Sequence, residues 1–251
     1  MKDKVRNIVH KICIIILIIC LALLGSELYK IFNTSQQIRY VQHVAGETAK
    51  KDDNFYPDWK ALRKINPDII GYLYYPKCNI SYPIVRTDNN DYYLTHNFQK
   101  AKDEFGAIFM GYENNGDFSD RHSIIYGHSV FGWRGGMFTD LKRLTDKQFF
   151  EKNNKFIIFT PSKTYRCEVY AFEDTNYNKK TYQLSFMDSY DYLEWTQDIK
   201  AQSLYSNDDI HIGLHQNTVS LSTCATEDAK EKYIVHAIMK PDSKIKSKDV
   251  E

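Results

Sequence analysis

The chain has 251 residues and a mass of 29.5 kDa, and at 43% hydrophobic and 14% aromatic it carries apolar material for one sizeable core or two small ones, which excludes a disordered tail. Lys and Arg number 33 against 32 Asp and Glu, a formal charge of +1, so no overall field recruits nucleic acid or an acidic polymer. The five cysteines include no C-x-x-C pair and no Cys/His cluster at ligand spacing, which excludes both a disulfide framework and a zinc site.

Although mean hydropathy over the whole chain is only -0.52, fourteen residues from Ile12 to Gly25 run without a charge. With Ile8, Val9, Leu28 and Tyr29 as flanks the span reaches about 20 residues, long enough for a single-pass anchor. Lys2, Lys4, Arg6 and Lys11 precede the run against Asp3 alone, so the N-terminus is expected in the cytoplasm and everything after residue 30 outside. A cleaved signal peptide and a buried core helix are the competing readings; no A-x-A site follows the run. Residues 31–66 read as a stalk with helical stretches, in which Ile31, Ile38, Val41 and Val44 recur at helical spacing before Gly46 and the run Lys50-Lys51-Asp52-Asp53.

From Ile69 the pattern changes to short β-branched and aromatic runs separated by turn residues. They are Ile69–Tyr75, Ile80–Val85, Ala107–Met110, Ser123–Tyr126, Lys155–Phe159, Tyr165–Phe172, Thr218–Thr223 and Tyr233–Met239. Eight such runs predict a β-barrel or a sandwich. A helix is expected after Asp188-Ser189, carrying Tyr192, Leu193, Trp195, Ile199 and Leu204 and ending near Ser206.

Cys13 and Cys20 lie in the apolar run, and Cys167 alternates with Tyr165, Val169 and Ala171 as a packing residue; a bond between Cys78 and Cys167 is left open. Cys224 differs. It shares a strand face with Ser220 and Ser222, opposite Val219 and Leu221, and a face of that composition suits a groove better than a core. A nucleophilic thiol needs a basic neighbour, because only the thiolate attacks a carbonyl. Of the eight histidines, His128 stands out at the end of the run Ile124-Ile125-Tyr126-Gly127, just before a glycine-rich loop; His122 and His236 have no distinguishing surroundings.

Tyr126-Gly127-His128 and Leu221-Ser222-Thr223-Cys224, taken with segments 66–71, 82–85, 92–98, 106–110 and 137–141 in that order along the chain, resemble a class B sortase over about residues 60 to 240. The resemblance implies a mainly β fold with helices: an eight-stranded sortase barrel with N-terminal helices and a helix at 189–206 inserted before the cysteine strand. It divides the chain into a basic end and anchor (1–30), a stalk with N-terminal helices (31–66) and an extracytoplasmic catalytic domain (67–251). It implies transpeptidation without a cofactor. Cys224 attacks a Thr carbonyl in the sorting motif of a secreted protein, and His128 protonates the departing amine. The thioester is resolved by an amine from a lipid-linked peptidoglycan precursor or a pilin lysine. Asn90, Ser222, Thr223 and Tyr182 are implied to line the sorting-motif groove. Sortases carry an arginine at the start of the strand after the cysteine; here that place is Lys232, which lacks the planar fork, with Arg134 in the loop after His128 as the possible substitute. A cysteine peptidase using water as acceptor and a non-catalytic surface-binding domain are the alternatives from other classes.

Overall fold

The computed structural model describes residues 2–46, 55–129, 136–175, 179–224, 232–245 and 247–250, with Cys224 described through its backbone only. The chain divides into two units, Met1–Tyr40 and Val41–Glu251. The first unit is formed by helix α1 (Lys2–Val44), which is continuous through the apolar run and reaches a mean hydropathy of 2.8 over an 18-residue window. Its Ile15, Leu17, Ile18 and Leu23 are more than half exposed. By length and composition this helix can cross a membrane.

Among the described residues the second unit contains a short helix α2 (Trp59–Ile65), capped where Asp58 Oδ1 accepts the Ala61 N–H, and nine strands. These are β1 (Ile69–Tyr75), β2 (Ile80–Val85), β3 (Phe109–Met110), β4 (His122–His128), β5 (Lys155–Phe159), β6 (Thr164–Thr175), β7 (Tyr205–Ser206), β8 (Asn217–Cys224) and β9 (Lys232–Pro241). Pairing runs β5-β1-β2-β3-β4-β8-β9-β6, and β6 pairs back to β5, so eight strands close a barrel. All eight coincide with the runs expected from the sequence. The ninth, β7, was not foreseen: two residues pair with Ala171 and Phe172 on the edge that β6 leaves free where it parts from β5. Two pairs are parallel, β2 with β3 and β4 with β8.

The pleat sorts side chains onto two faces. Ile125, Val219, Leu221, Val235 and Ala237, odd-numbered and completely buried, line the barrel interior. The even-numbered face of β4, β8 and β9 points outward, part of it under helix α4 (Ser189–Gln202); a shorter helix, α3 (Lys147–Lys152), precedes β5. Asp188 Oδ1 accepts the N–H groups of Tyr190 and Asp191 to start α4, as the sequence suggested. The helix ends at Gln202 rather than near Ser206, because Ser203 is already extended and leads into β7. Tyr192, Trp195 and Ile199 of α4 pack on Tyr170, Ala171 and Ile238, and the irregularity between Val169 and Ala171 in β6 is what brings Tyr170 to that side.

Two glycines are required by close approach. At Gly127 an added Cβ would lie 2.8 Å from the buried Phe138 ring. At Gly106 the backbone has φ +60 and a Cβ would lie 2.4 Å from the Tyr93 carbonyl oxygen and 2.8 Å from that of Leu94. Gly106→Ala is therefore expected to destabilise the barrel by about 2 kcal/mol or more, measured by urea denaturation, because both obstacles are backbone.

Candidate active site

The parallel register of β4 and β8 pairs His122 with Thr218 at one end and His128 with Cys224 at the other, so the histidine and the cysteine singled out in the sequence occupy the same rung of neighbouring strands. Adjacent strands lie about 4.8 Å apart. The thiol itself lies outside the described residues.

The imidazole of His128 is half-buried, and its Nε2 lies 3.0 Å from the carbonyl oxygen of Leu94. A carbonyl only accepts, so Nε2 carries the hydrogen and Nδ1 is left as the nitrogen that exchanges a proton. Burial pushes the His128 imidazole below its ordinary value, and the Leu94 bond opposes that shift. The carbonyl is held in place by its neighbours. Tyr93 is completely buried, takes a hydrogen bond from Asn66 Nδ2 and donates its own hydroxyl to Asp68 Oδ2, while Ala107 N–H closes the loop onto the Tyr93 carbonyl. The segment 92–98 quoted for the family resemblance thus acts as the support of the histidine.

On the other side of β8, the β8–β9 register runs from Asn217 opposite Met239 to Ser222 opposite Ile234 and ends there, two residues short of Cys224 and Lys232. Lys232 opens β9, and its Nζ stands 5.3 Å from the centre of the Tyr182 ring. Both residues line a cleft of about 690 Å³ together with Glu113, Ile124 and Tyr126. The Tyr182 hydroxyl bonds Ser222 Oγ at 2.9 Å. Asn90 stands beside the cleft, donating from Nδ2 to Glu113 at 3.1 Å and accepting the Tyr112 N–H on Oδ1. His128, Cys224, Lys232, Tyr182, Ser222 and Asn90 are thereby gathered at one end of the β4-β8-β9 surface.

Some expectations need correction. Thr223 does not line the cleft: it is on the opposite face of β8, 1% exposed, and its Oγ1 accepts the Tyr233 N–H. Nor is the Ser220 and Ser222 face an open groove, since both are buried, Ser222 beneath Tyr182 and Ser220 between two imidazoles. Those imidazoles, His122 and His236, looked ordinary in sequence yet are completely buried and hydrogen-bonded in series. Their partners come from segments remote in sequence, Gln183 and Glu173, and no local pattern announces them. Arg134 lies outside the described residues. Cys78 and Cys167 are free, buried thiols; burial pushes Cys78 up to about 12 and Cys167 well above its ordinary value, so neither is a reactive thiolate.

Comparison with known proteins gives this arrangement its setting. A model of the sortase domain matches residues 73–240. The chain belongs to the sortase family. Sortase B of Listeria monocytogenes serovar 1/2a is 34% identical over 171 residues, covering 68% of each chain. The solved structure of sortase B from Listeria monocytogenes superposes with a TM-score of 0.64 at 31% identity, covering 70% of this chain and 97% of that one. A sortase B structure from B. anthracis, in complex with AAEK1, superposes with a TM-score of 0.72 at 29% identity over 84% of this chain and 100% of that one. The relatives are class B members, sortases are cysteine transpeptidases, and this chain is an enzyme of that kind.

The buried imidazoles give this sortase a defined acid response. Burial lowers His122 from 6.5 to about 3, and His128 is lowered by the same cause. Both are groups whose folded value is depressed, so below pH 6.5 the unfolded chain binds protons that the folded chain refuses. Stability is expected to fall as pH drops from 6.5 toward 3, by about 1.4 kcal/mol per pH unit for His122, with a contribution of the same sign from His128. Urea titrations at stepped pH check this, and His122→Gln should reduce the slope by about one proton.

Proposed function

We propose that this sortase is anchored in the cell membrane by α1, with its N-terminus cytoplasmic and its catalytic unit outside, and that it cleaves a C-terminal sorting motif of secreted proteins through a thioester on Cys224. The observation that carries the reading is the shared rung of His128 and Cys224, with the Leu94 carbonyl leaving Nδ1 of His128 as the proton-exchanging nitrogen.

In the first step the Cys224 proton passes to His128 Nδ1 and the thiolate attacks the carbonyl carbon of the scissile amide. Collapse of the tetrahedral intermediate breaks the C–N bond; the departing nitrogen takes the proton from Nδ1, leaving a thioester. An acceptor amine, from a lipid-linked peptidoglycan precursor or a pilin lysine, then attacks the thioester carbon. It gives its proton to Nδ1 as the C–S bond breaks, and a new amide forms. Lys232 supplies positive charge for the oxyanion, a role supported by its place at the start of β9 beside Tyr182. Tyr182 and Asn90 form the wall that holds the extended peptide, and Ser222, buried behind Tyr182, supports it through the bond to its hydroxyl. Tethering in the membrane raises the local concentration of exported substrate and lipid-linked acceptor together.

The basic residues ahead of the apolar run support the orientation, and the exposed apolar surface of α1 supports the anchor. Cell fractionation and protease protection of a tagged full-length chain test both: recovery in the soluble fraction, or a C-terminal tag shielded in intact cells, overturns the topology.

Cys224→Ala is expected to abolish peptide cleavage with the fold intact, while wild type in the presence of an amine gives the amide-linked product. Residual turnover above ~1% of wild type, or hydrolysis alone when amine is present, contradicts the mechanism. Lys232→Ala should slow single-turnover acylation by about 10²–10³-fold and Lys232→Arg should retain or raise it, because the guanidinium restores a planar donor pair. Near-silent kinetics in both variants, with Arg134→Ala severe, would move the cation to the loop after His128.

A further inference from the structure

Behind the cleft the outer face of the barrel carries a continuous row of buried polar side chains that the proposed chemistry does not use. It begins at the Gln183 carbonyl, which lies 2.8 Å from His122 Nδ1. His122 Nε2 is 2.7 Å from Ser220 Oγ, Ser220 Oγ is 2.7 Å from His236 Nδ1, and His236 Nε2 is 3.1 Å from Glu173 Oε1. The Glu173 carboxylate also accepts from Thr181 Oγ1 at 2.9 Å and from Gln202 Nε2 at 2.9 Å. His122, Ser220, His236, Glu173 and Thr181 are each at most 2% exposed.

The direction of every hydrogen follows from the two ends. The Gln183 carbonyl only accepts, so His122 is protonated on Nδ1 and its Nε2 accepts from the Ser220 hydroxyl. Ser220 Oγ in turn accepts from His236 Nδ1. Desolvation alone would raise the Glu173 carboxyl, but the hydrogen bonds and charge of His236, with Gln202 and Thr181, hold it below its ordinary value. The Glu173 carboxylate closes the row at His236 Nε2. No donor or acceptor in the row is left over.

Both ends of the row lie on one short stretch of chain. Thr181 binds Glu173 and Gln183 binds His122, and Tyr182 stands between them. We infer that the His122–Ser220–His236–Glu173 row is the positioning device for Tyr182: it clamps the residues on either side of Tyr182 to β4, β8, β9 and β6, and so sets the tyrosine over Ser222 and beside Lys232 as a fixed wall of the peptide groove. This rests on the reading of Tyr182 as a groove residue. The four side chains are positioning residues that act on binding through Thr181 and Gln183.

Thr181→Val removes the hydroxyl at nearly constant shape, and Glu173→Gln removes the charge at constant shape; the second variant guards against one that merely unfolds. Amide exchange over residues 179–184, followed by mass spectrometry, is expected to accelerate at least tenfold in both, with exchange in β8 unchanged. With a sorting peptide, KM is expected to rise about fivefold while the single-turnover acylation rate at saturation stays within twofold of wild type. Tyr182→Phe, which loses the bond to Ser222, should raise KM similarly, and Thr181→Val combined with Tyr182→Phe should add little to it. Unchanged exchange in both variants overturns the clamp. Faster exchange with unchanged KM, or a KM effect that adds fully to that of Tyr182→Phe, overturns its link to the peptide. Failure of the transpeptidase mechanism is seen separately, as turnover surviving in Cys224→Ala.

Discussion

The parallel pairing of β4 with β8 is the constraint on which the site depends. Parallel neighbours cannot be joined by a hairpin, so the chain must leave β4 at His128, travel through β5, β6, α4 and β7, and come back to enter β8 in the same direction. That excursion closes the barrel through β5 and β6 and covers its outer face with α4. The register is then fixed by apolar residues that take no part in chemistry. A slip of one residue would turn Val219 and Leu221 outward and carry Ser220 and Ser222 into the barrel interior. The same burial that forbids the slip keeps His128 level with Cys224.

A closed barrel ordinarily presents polar residues on its outer surface to water, but here α4 and the segment before it exclude water from part of that surface. Each group so buried costs on the order of 1–3 kcal/mol if left without a partner. Glu173, Ser220, His122 and His236 avoid that cost only as a set, and the set is completed by residues of the covering segment, Thr181, Gln183 and Gln202. The insertion is thereby tied to the sheet by directional bonds as well as by the apolar contacts of Trp195 and Ile199. Apolar packing tolerates sliding; a row of oriented hydrogen bonds does not. Where a peptide must be held in one register, directional bonds behind the wall are the more suitable support.

How much of this was legible in the sequence depends on the range of the interactions involved. The strands were readable because period-two burial is a local pattern, and Val219 against Ser220 or Leu221 against Ser222 declares two faces without any other strand being known. The pair of His128 and Cys224 was readable for a related reason: each sits at a strand end beside a loop, and together with their neighbours they match a family's ordered motifs. What misled was the polar face of β8. Alternation tells that Ser220 and Ser222 share a side, but not whether that side meets water or another element, and the element that covers it arrives from α4 and the turn before it. Thr223 went wrong through proximity, since adjacency to Cys224 in sequence means the opposite face in a strand. β7 was missed because two residues carry no periodicity.

The strand order also bears on what a lysine at the start of β9 can contribute. With β8 between β4 and β9, the cysteine shares its rung with His128 on the β4 side, while Lys232 opens β9 on the other side. The two bases are not equivalent in the proposed mechanism. Burial keeps the imidazole of His128 easy to deprotonate, as a group that must give and take a proton in each half-reaction requires. The ammonium of Lys232 has the opposite duty, to stay charged while the oxyanion forms and disappears. Its place over the face of the Tyr182 ring, 5.3 Å from the centre, serves that duty by directing the cation along the cleft. A lysine is a point charge on a flexible stem and lacks the rigid fork of an arginine, so its position depends on what it rests against. Lys232 therefore gains from a tyrosine held still, and the buried row proposed to fix Tyr182 serves the cation as well as the groove.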